Sequence, residues 1–226
     1  MSACKALIVG LLIVSAAPAL SQPADDPALV TGVYVGLRGS YAFSGNHTTT
    51  WAGTTPMTQM RGSYASGGGG SLVMGTHLPL NLRVELEGLY RYQPLSKFTL
   101  DGVKVAASGR SQNVGGMMNL LWDIPVPLES PLQPFVGMGV GALHTDVDAS
   151  GGGNTYMHQS RWAPAYSFMT GFALPLDESS RLTAMYRWMQ VPNAHHKCAV
   201  SGTTQFACLD NPVSSSAVDL GFEMEL

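Results

Sequence analysis

The chain has 226 residues, of which 45% are hydrophobic and 12% charged, with 26 glycines and a formal net charge of -3. A weakly acidic balance offers nothing to a nucleic-acid backbone or an anionic bilayer surface, so neither is expected as a partner. No apolar run after the first segment approaches the roughly 18 residues of a spanning helix, so any membrane crossing has to be made by strands.

Lys5, the apolar run Ala6 to Val14 and the small residues Ser15 to Ala19 make residues 1–21 a secretory signal, and Cys4 leaves with it. Residues 22–29 form a Pro/Asp-containing periplasmic tail, and 30–226 the main domain. In the first strand Val33, Val35, Leu37, Gly39, Tyr41 and Phe43 share one face, leaving Arg38 on the other. Gly45 to Tyr64, rich in Thr, Gly and Asn, reads as a long surface loop. A second strand covers about Ser66 to Leu78, and Pro79 to Asn81 make a tight turn. The clearest alternation follows: Leu82, Val84, Leu86, Gly88, Tyr90 and Tyr92 against Arg83, Glu85, Glu87, Leu89 and Arg91. Four charges on one face of one strand suit a polar lumen better than a soluble core.

Gln93 to Gly109 is expected to be a loop. The next strand turns Val114, Gly116, Met118, Leu120, Trp122 and Ile124 outward and Asn113, Met117, Asn119 and Asp123 inward. After a proline-punctuated turn, Pro134 to His144 sets Val136, Met138, Val140 and Ala142 outward, with Gly137, Gly139 and Gly141 leaving room for long inward side chains. Thr145 to Gln159 reads as a loop, and the sixth strand carries Trp162, Tyr166, Phe168, Phe172 and Leu174 outward. The seventh sets Leu182, Ala184, Tyr186 and Trp188 against Arg181, Thr183, Met185 and Arg187, and the loop Pro192 to Val213 follows. In the closing strand Val218, Leu220, Phe222, Met224 and Leu226 alternate with Asp219, Gly221, Glu223 and Glu225.

The pattern is all-β: an eight-stranded antiparallel up-and-down transmembrane barrel with short periplasmic turns and four long extracellular loops. Aromatic residues near strand ends fit interface girdles. A soluble lipocalin-like barrel has the same periodicity with its apolar faces inward. The signal and the loop asymmetry favour the membrane.

Tyr34 to Tyr41 (YVGLRGSY), Pro134 to Gly141 (PFVGMGVG), the stretch Leu182 to Trp188 with Tyr186-Arg187, and the closing strand resemble the small outer-membrane β-barrel domain family, which includes the opacity proteins and related surface antigens of Gram-negative bacteria. The resemblance implies an outer-membrane location among lipid and lipopolysaccharide, and insertion by the outer-membrane assembly machinery through the C-terminal strand. It also implies variable surface loops that meet a host or surface ligand. The terminal residue of such barrels is usually aromatic; here it is Leu226.

Arg38, Arg83, Glu85, Glu87, Arg91, Arg187, Asp219 and Glu223 project into a lumen narrow enough to be filled by side chains, where charges must pair. An ion network that plugs the barrel is the expected outcome, and a narrow ion pore the rival. Cys198 and Cys208, close together in an exported chain, are expected to form a disulfide. His195 and His196 beside them form a candidate haem or metal loop, although no zinc-ligand spacing accompanies them, and no cofactor or metal is assigned. His158 and Ser160, as H-x-S, are similar to the His and Ser of outer-membrane lipid A deacylases, but no carboxylate is placed to orient the histidine, and no catalytic residue is assigned.

Overall fold

The computed structural model describes residues 32–43, 45–52, 59–100, 103–105, 107–126, 131–151, 155–192, 195–198, 206–210 and 213–226. The expected signal and the periplasmic tail lie outside them. Thirteen strands are present among the described residues: β1 (Val33–Ala42), β2 (Gly45–Ala52), β3 (Gln59–Tyr64), β4 (Gly67–Leu78), β5 (Leu82–Leu100), β6 (Val103–Val105), β7 (Ala107–Asp123), β8 (Gln133–Gly151), β9 (Thr155–Pro175), β10 (Ser180–Val191), β11 (His195–Cys198), β12 (Phe206–Asp210) and β13 (Val213–Glu225).

Eight of them close on themselves in the order β1, β4, β5, β7, β8, β9, β10 and β13, every neighbouring pair antiparallel. Paired residues followed around the wall from Arg161 on β9 run through Thr145, Asn113, Arg91, Gly69, Ser40, Asp219 and Met185 and return to β9 at Gly171. That offset of ten residues within one strand is the shear that tilts the strands and sets the narrow bore. Closure leaves the membrane-spanning wall without a free edge, as a lipid environment requires.

Which face meets which medium is decided by exposure. Leu37, Leu72 and Leu86 are 62%, 67% and 62% exposed, while Arg83 and Glu85 on the opposite face are 0% exposed. The apolar side chains are therefore on the outside, the reverse of a lipocalin. Aromatic residues border this belt at both ends, with Tyr41, Tyr90 and Trp162 towards the long connections and Trp122 towards the short turns.

Four regions expected as loops are built differently. Gly45 to Tyr64 contains β2 and β3, which pair with each other; β3 also joins the upper part of β5. The stretches Gln93–Gly109 and Thr145–Gln159 are largely continuations of β5, β7, β8 and β9, whose ladders run on to Ala107↔Gly151 and Gly151↔Thr155. The Pro192 to Val213 loop holds the short hairpin β11–β12, and β12 pairs with β2. Above the apolar belt both faces of a strand meet water, so the backbone ladder persists after the period-two signal has ended.

At the opposite end, β4 and β5 are joined through Pro79, Leu80 and Asn81, with Leu80 at φ 66° and Asn81 at φ 59°. Asn accepts the left-handed region readily and Leu does not, so Leu80 marks local strain.

Candidate functional site

The lumen is the site that the strands build. Side chains from β1, β5, β7, β10 and β13 converge there because residues two apart on a strand face the same way. Arg38 donates from both terminal nitrogens to Glu85, at 2.9 and 2.6 Å, and from Nη2 to Glu223 at 2.7 Å. The Tyr34 hydroxyl donates to the same Glu85 at 2.7 Å. Arg83 grips Asp123 bidentately at 2.8 and 2.7 Å, and Glu223 also accepts from Arg181 at 2.7 Å.

A second group lies further up the bore. Arg187 holds Glu87 through two bonds of 2.8 and 2.9 Å, and Asn119 adds a third to Glu87 at 2.8 Å. Arg187 Nε lies 2.9 Å from Asp219, close enough for an ion pair, although its N–H is not aimed along that line. Ser40 donates to the other Asp219 oxygen at 2.6 Å. Fork-to-carboxylate pairs of this kind are the geometry in which buried charges are tolerated.

Seven of the eight network residues read from the sequence are thus brought together. Arg91 is the exception: it is buried in the lumen, but among the described residues its bond is to Ser215 and it contacts no carboxylate. Asp123, Arg181 and Asn119 were legible as inward-facing from their alternation. Their membership depends on cross-strand register, which alternation within one strand does not contain.

The other half of the bore is apolar. β8 and β9 supply Phe135, Leu143, Ala163, Ala165, Met169 and Ala173, which pack against Leu89, Met117, Leu121, Met185 and Met189 in two buried clusters. The inward glycines of β8 make room for this. A Cβ on Gly137 would stand 2.8 Å from Leu121 Cδ2, and one on Gly141 2.7 Å from Met117 Sδ. Arg83 lies where the halves meet, its guanidinium 5.2 Å from the Phe135 ring centre.

No protein-family model matches the sequence. A curated relative, an "Outer membrane protein" of Gluconacetobacter diazotrophicus, is 29% identical over 199 residues, covering 81% of this chain and 52% of the relative. The chain therefore spans about half the length of the curated relative it matches. Among solved structures, the outer-membrane protein OprG of Pseudomonas aeruginosa superposes with a TM-score of 0.63 at 13% identity, covering 87% of this chain and 97% of that one. Neisserial surface protein A gives 0.52 at 16% identity, covering 87% and 99%. The chain is an outer-membrane β-barrel. These likenesses agree with the small-barrel resemblance of the sequence, and at such identity the solved structures speak for the fold alone.

The remaining candidates of this outer-membrane barrel lie in its outward extension. The β11–β12 register pairs His196 with Cys208 and Cys198 with Phe206, so the two cysteines are diagonal neighbours on one hairpin. The side chains of His195, His196, Cys198 and Cys208 lie outside what the structure describes, and the disulfide and the haem or metal loop stand as proposals. Ser160, read with His158 from the sequence, is bonded instead to His144 Nε2 on the neighbouring strand at 3.1 Å; the side chain of His158 is also outside the described set.

Proposed function

We propose that this outer-membrane barrel is a non-catalytic structural protein and surface antigen or adhesin, with its lumen shut and its recognition carried by the extracellular strand extensions. The observation that carries the reading is the double seal of the bore, by the Arg–carboxylate network on one wall and the Leu/Met/Phe packing on the other. A pore needs an uninterrupted wetted path, and Leu121 and Leu143 are 0% exposed within it.

The partners that follow are outer-membrane lipid and lipopolysaccharide around the belt, the assembly machinery meeting β13, and a host or surface ligand at the extensions. β13 supports the second of these because it pairs with both β1 and β10 and so makes the closure.

Two measurements test the reading. The purified full chain reconstituted in planar bilayers is expected to show no single-channel steps, and regular steps would replace it with the pore. Antibodies raised against intact cells are expected to bind cells displaying the chain and to lose much of that binding when residues 46–63 are exchanged for a short turn. Equal binding to both would remove the surface-antigen half.

A further inference from the structure

We propose that Arg91, Asn113, Thr145 and Arg161 form an oxyanion-binding cup at the extracellular mouth of the lumen, taking a carboxylate or phosphate group. The four are consecutive partners across β5, β7, β8 and β9, and all four lie on the inward face. One step below them the wall is apolar: Leu89, Leu143 and Ala163 belong to the packed cluster that floors the cup. Asn113, Thr145 and Arg161 are half-buried, and Arg91 is buried at 2% exposure.

Arg91 is the group that calls for a ligand. Its Nη1 donates to Ser215 Oγ at 3.1 Å, its Nε is buried without a hydrogen-bond partner, and no carboxylate among the described residues contacts it. Every other arginine of the lumenal network holds at least one carboxylate, so Arg91 is a buried cation without a contacting counter-charge. Such a group is held at a cost that an anion would offset. The free edge of a guanidinium fits two oxygens of a carboxylate or phosphate in parallel, which an ammonium cannot do.

The neighbours are arranged to help. Thr145 Oγ1 donates to Asn113 Oδ1 at 2.8 Å, which fixes the amide so that its NH2 remains a donor. Arg161 adds a second positive charge on the same ring of residues. This inference rests on the surface-binding reading and gives its ligand a charge. It has its own readout, so an empty cup would leave antibody or cell recognition untouched.

The test uses the full chain in detergent micelles, with the thermal midpoint followed by loss of the fast-migrating unboiled band. Potassium phosphate and potassium acetate are each compared with potassium chloride at equal ionic strength. At roughly ten times its dissociation constant, phosphate or acetate is expected to raise the wild-type midpoint by about 5 °C, because binding to the folded state alone stabilises it in proportion to the logarithm of ligand concentration. In Arg91→Gln the rise is expected to vanish, while its midpoint in chloride is no lower than that of wild type. Arg91→Lys and Arg161→Gln should show a reduced rise, which keeps the test decisive if Arg91→Gln does not fold. The larger response identifies a tetrahedral or a planar ligand. A wild-type midpoint equal in all three salts, or an equal rise in the Arg91 variants, overturns the proposal.

Discussion

Glu85 is the residue on which the lower lumen turns, because it accepts from Arg38 twice and from Tyr34 at 0% exposure. Glu85→Ala leaves Arg38 with Glu223 alone and a hole beside it. The expected loss is about 3–5 kcal/mol of folding stability, read as a fall in the urea midpoint of the folded band. A loss below about 1 kcal/mol would mean that solvent, and not the network, carries these charges. Asp177 shows residue-scale control outside the bore. Hydrogen bonds from the Ser180 hydroxyl and from Ser179 hold its carboxyl below the usual range. A lowered value means that the turn contributes stability above the carboxyl's unfolded pKa and loses it as pH falls through the folded one. Wild type should therefore exceed Asp177→Asn in urea midpoint at neutral pH, and the two should converge in acid. A constant gap across pH would contradict this assignment.

At the scale of elements, the strand faces were legible because each spanning strand has lipid on one side and lumen on the other. Alternation placed Arg83, Glu85, Glu87 and Arg91 on one face, and the signal and the loop asymmetry turned that face inward. The division of the lumen into a charged and an apolar wall was not legible, since the pairing of Arg38 with Glu85 and Glu223 depends on the shear. The upper parts of β5, β7, β8 and β9 were missed for a different reason: above the belt none of them sets three successive large apolar residues on one face, so strand and loop look alike. The turn between β4 and β5 has its own test. Leu80 at φ 66° occupies a region that costs a branched L-residue about 1–2 kcal/mol, and Leu80→Gly is expected to gain roughly 1 kcal/mol in the urea midpoint. For the β11–β12 hairpin, a Cys198–Cys208 bridge makes the unreduced protein two hydrogens lighter than the reduced one by intact mass, and its absence would show two free thiols.

For the whole molecule, fold and location follow from one division: charge and tightly packed apolar groups inside, a broad apolar belt outside. A soluble protein with Leu37, Leu72, Leu86, Val140 and Leu220 all more than half exposed would expose an aggregation-prone surface, whereas a bilayer covers it. The strand extensions carry the wall beyond the membrane, and on the proposed reading, with the bore shut, they are the part that meets a partner. The most direct test is heat modifiability of the outer-membrane fraction on a denaturing gel. The chain is expected to sediment with outer membranes, and the unboiled sample to run as a faster, compact band that shifts to its full apparent mass only on boiling. A chain recovered in the soluble periplasmic fraction, with one mobility before and after boiling, would contradict the membrane barrel itself.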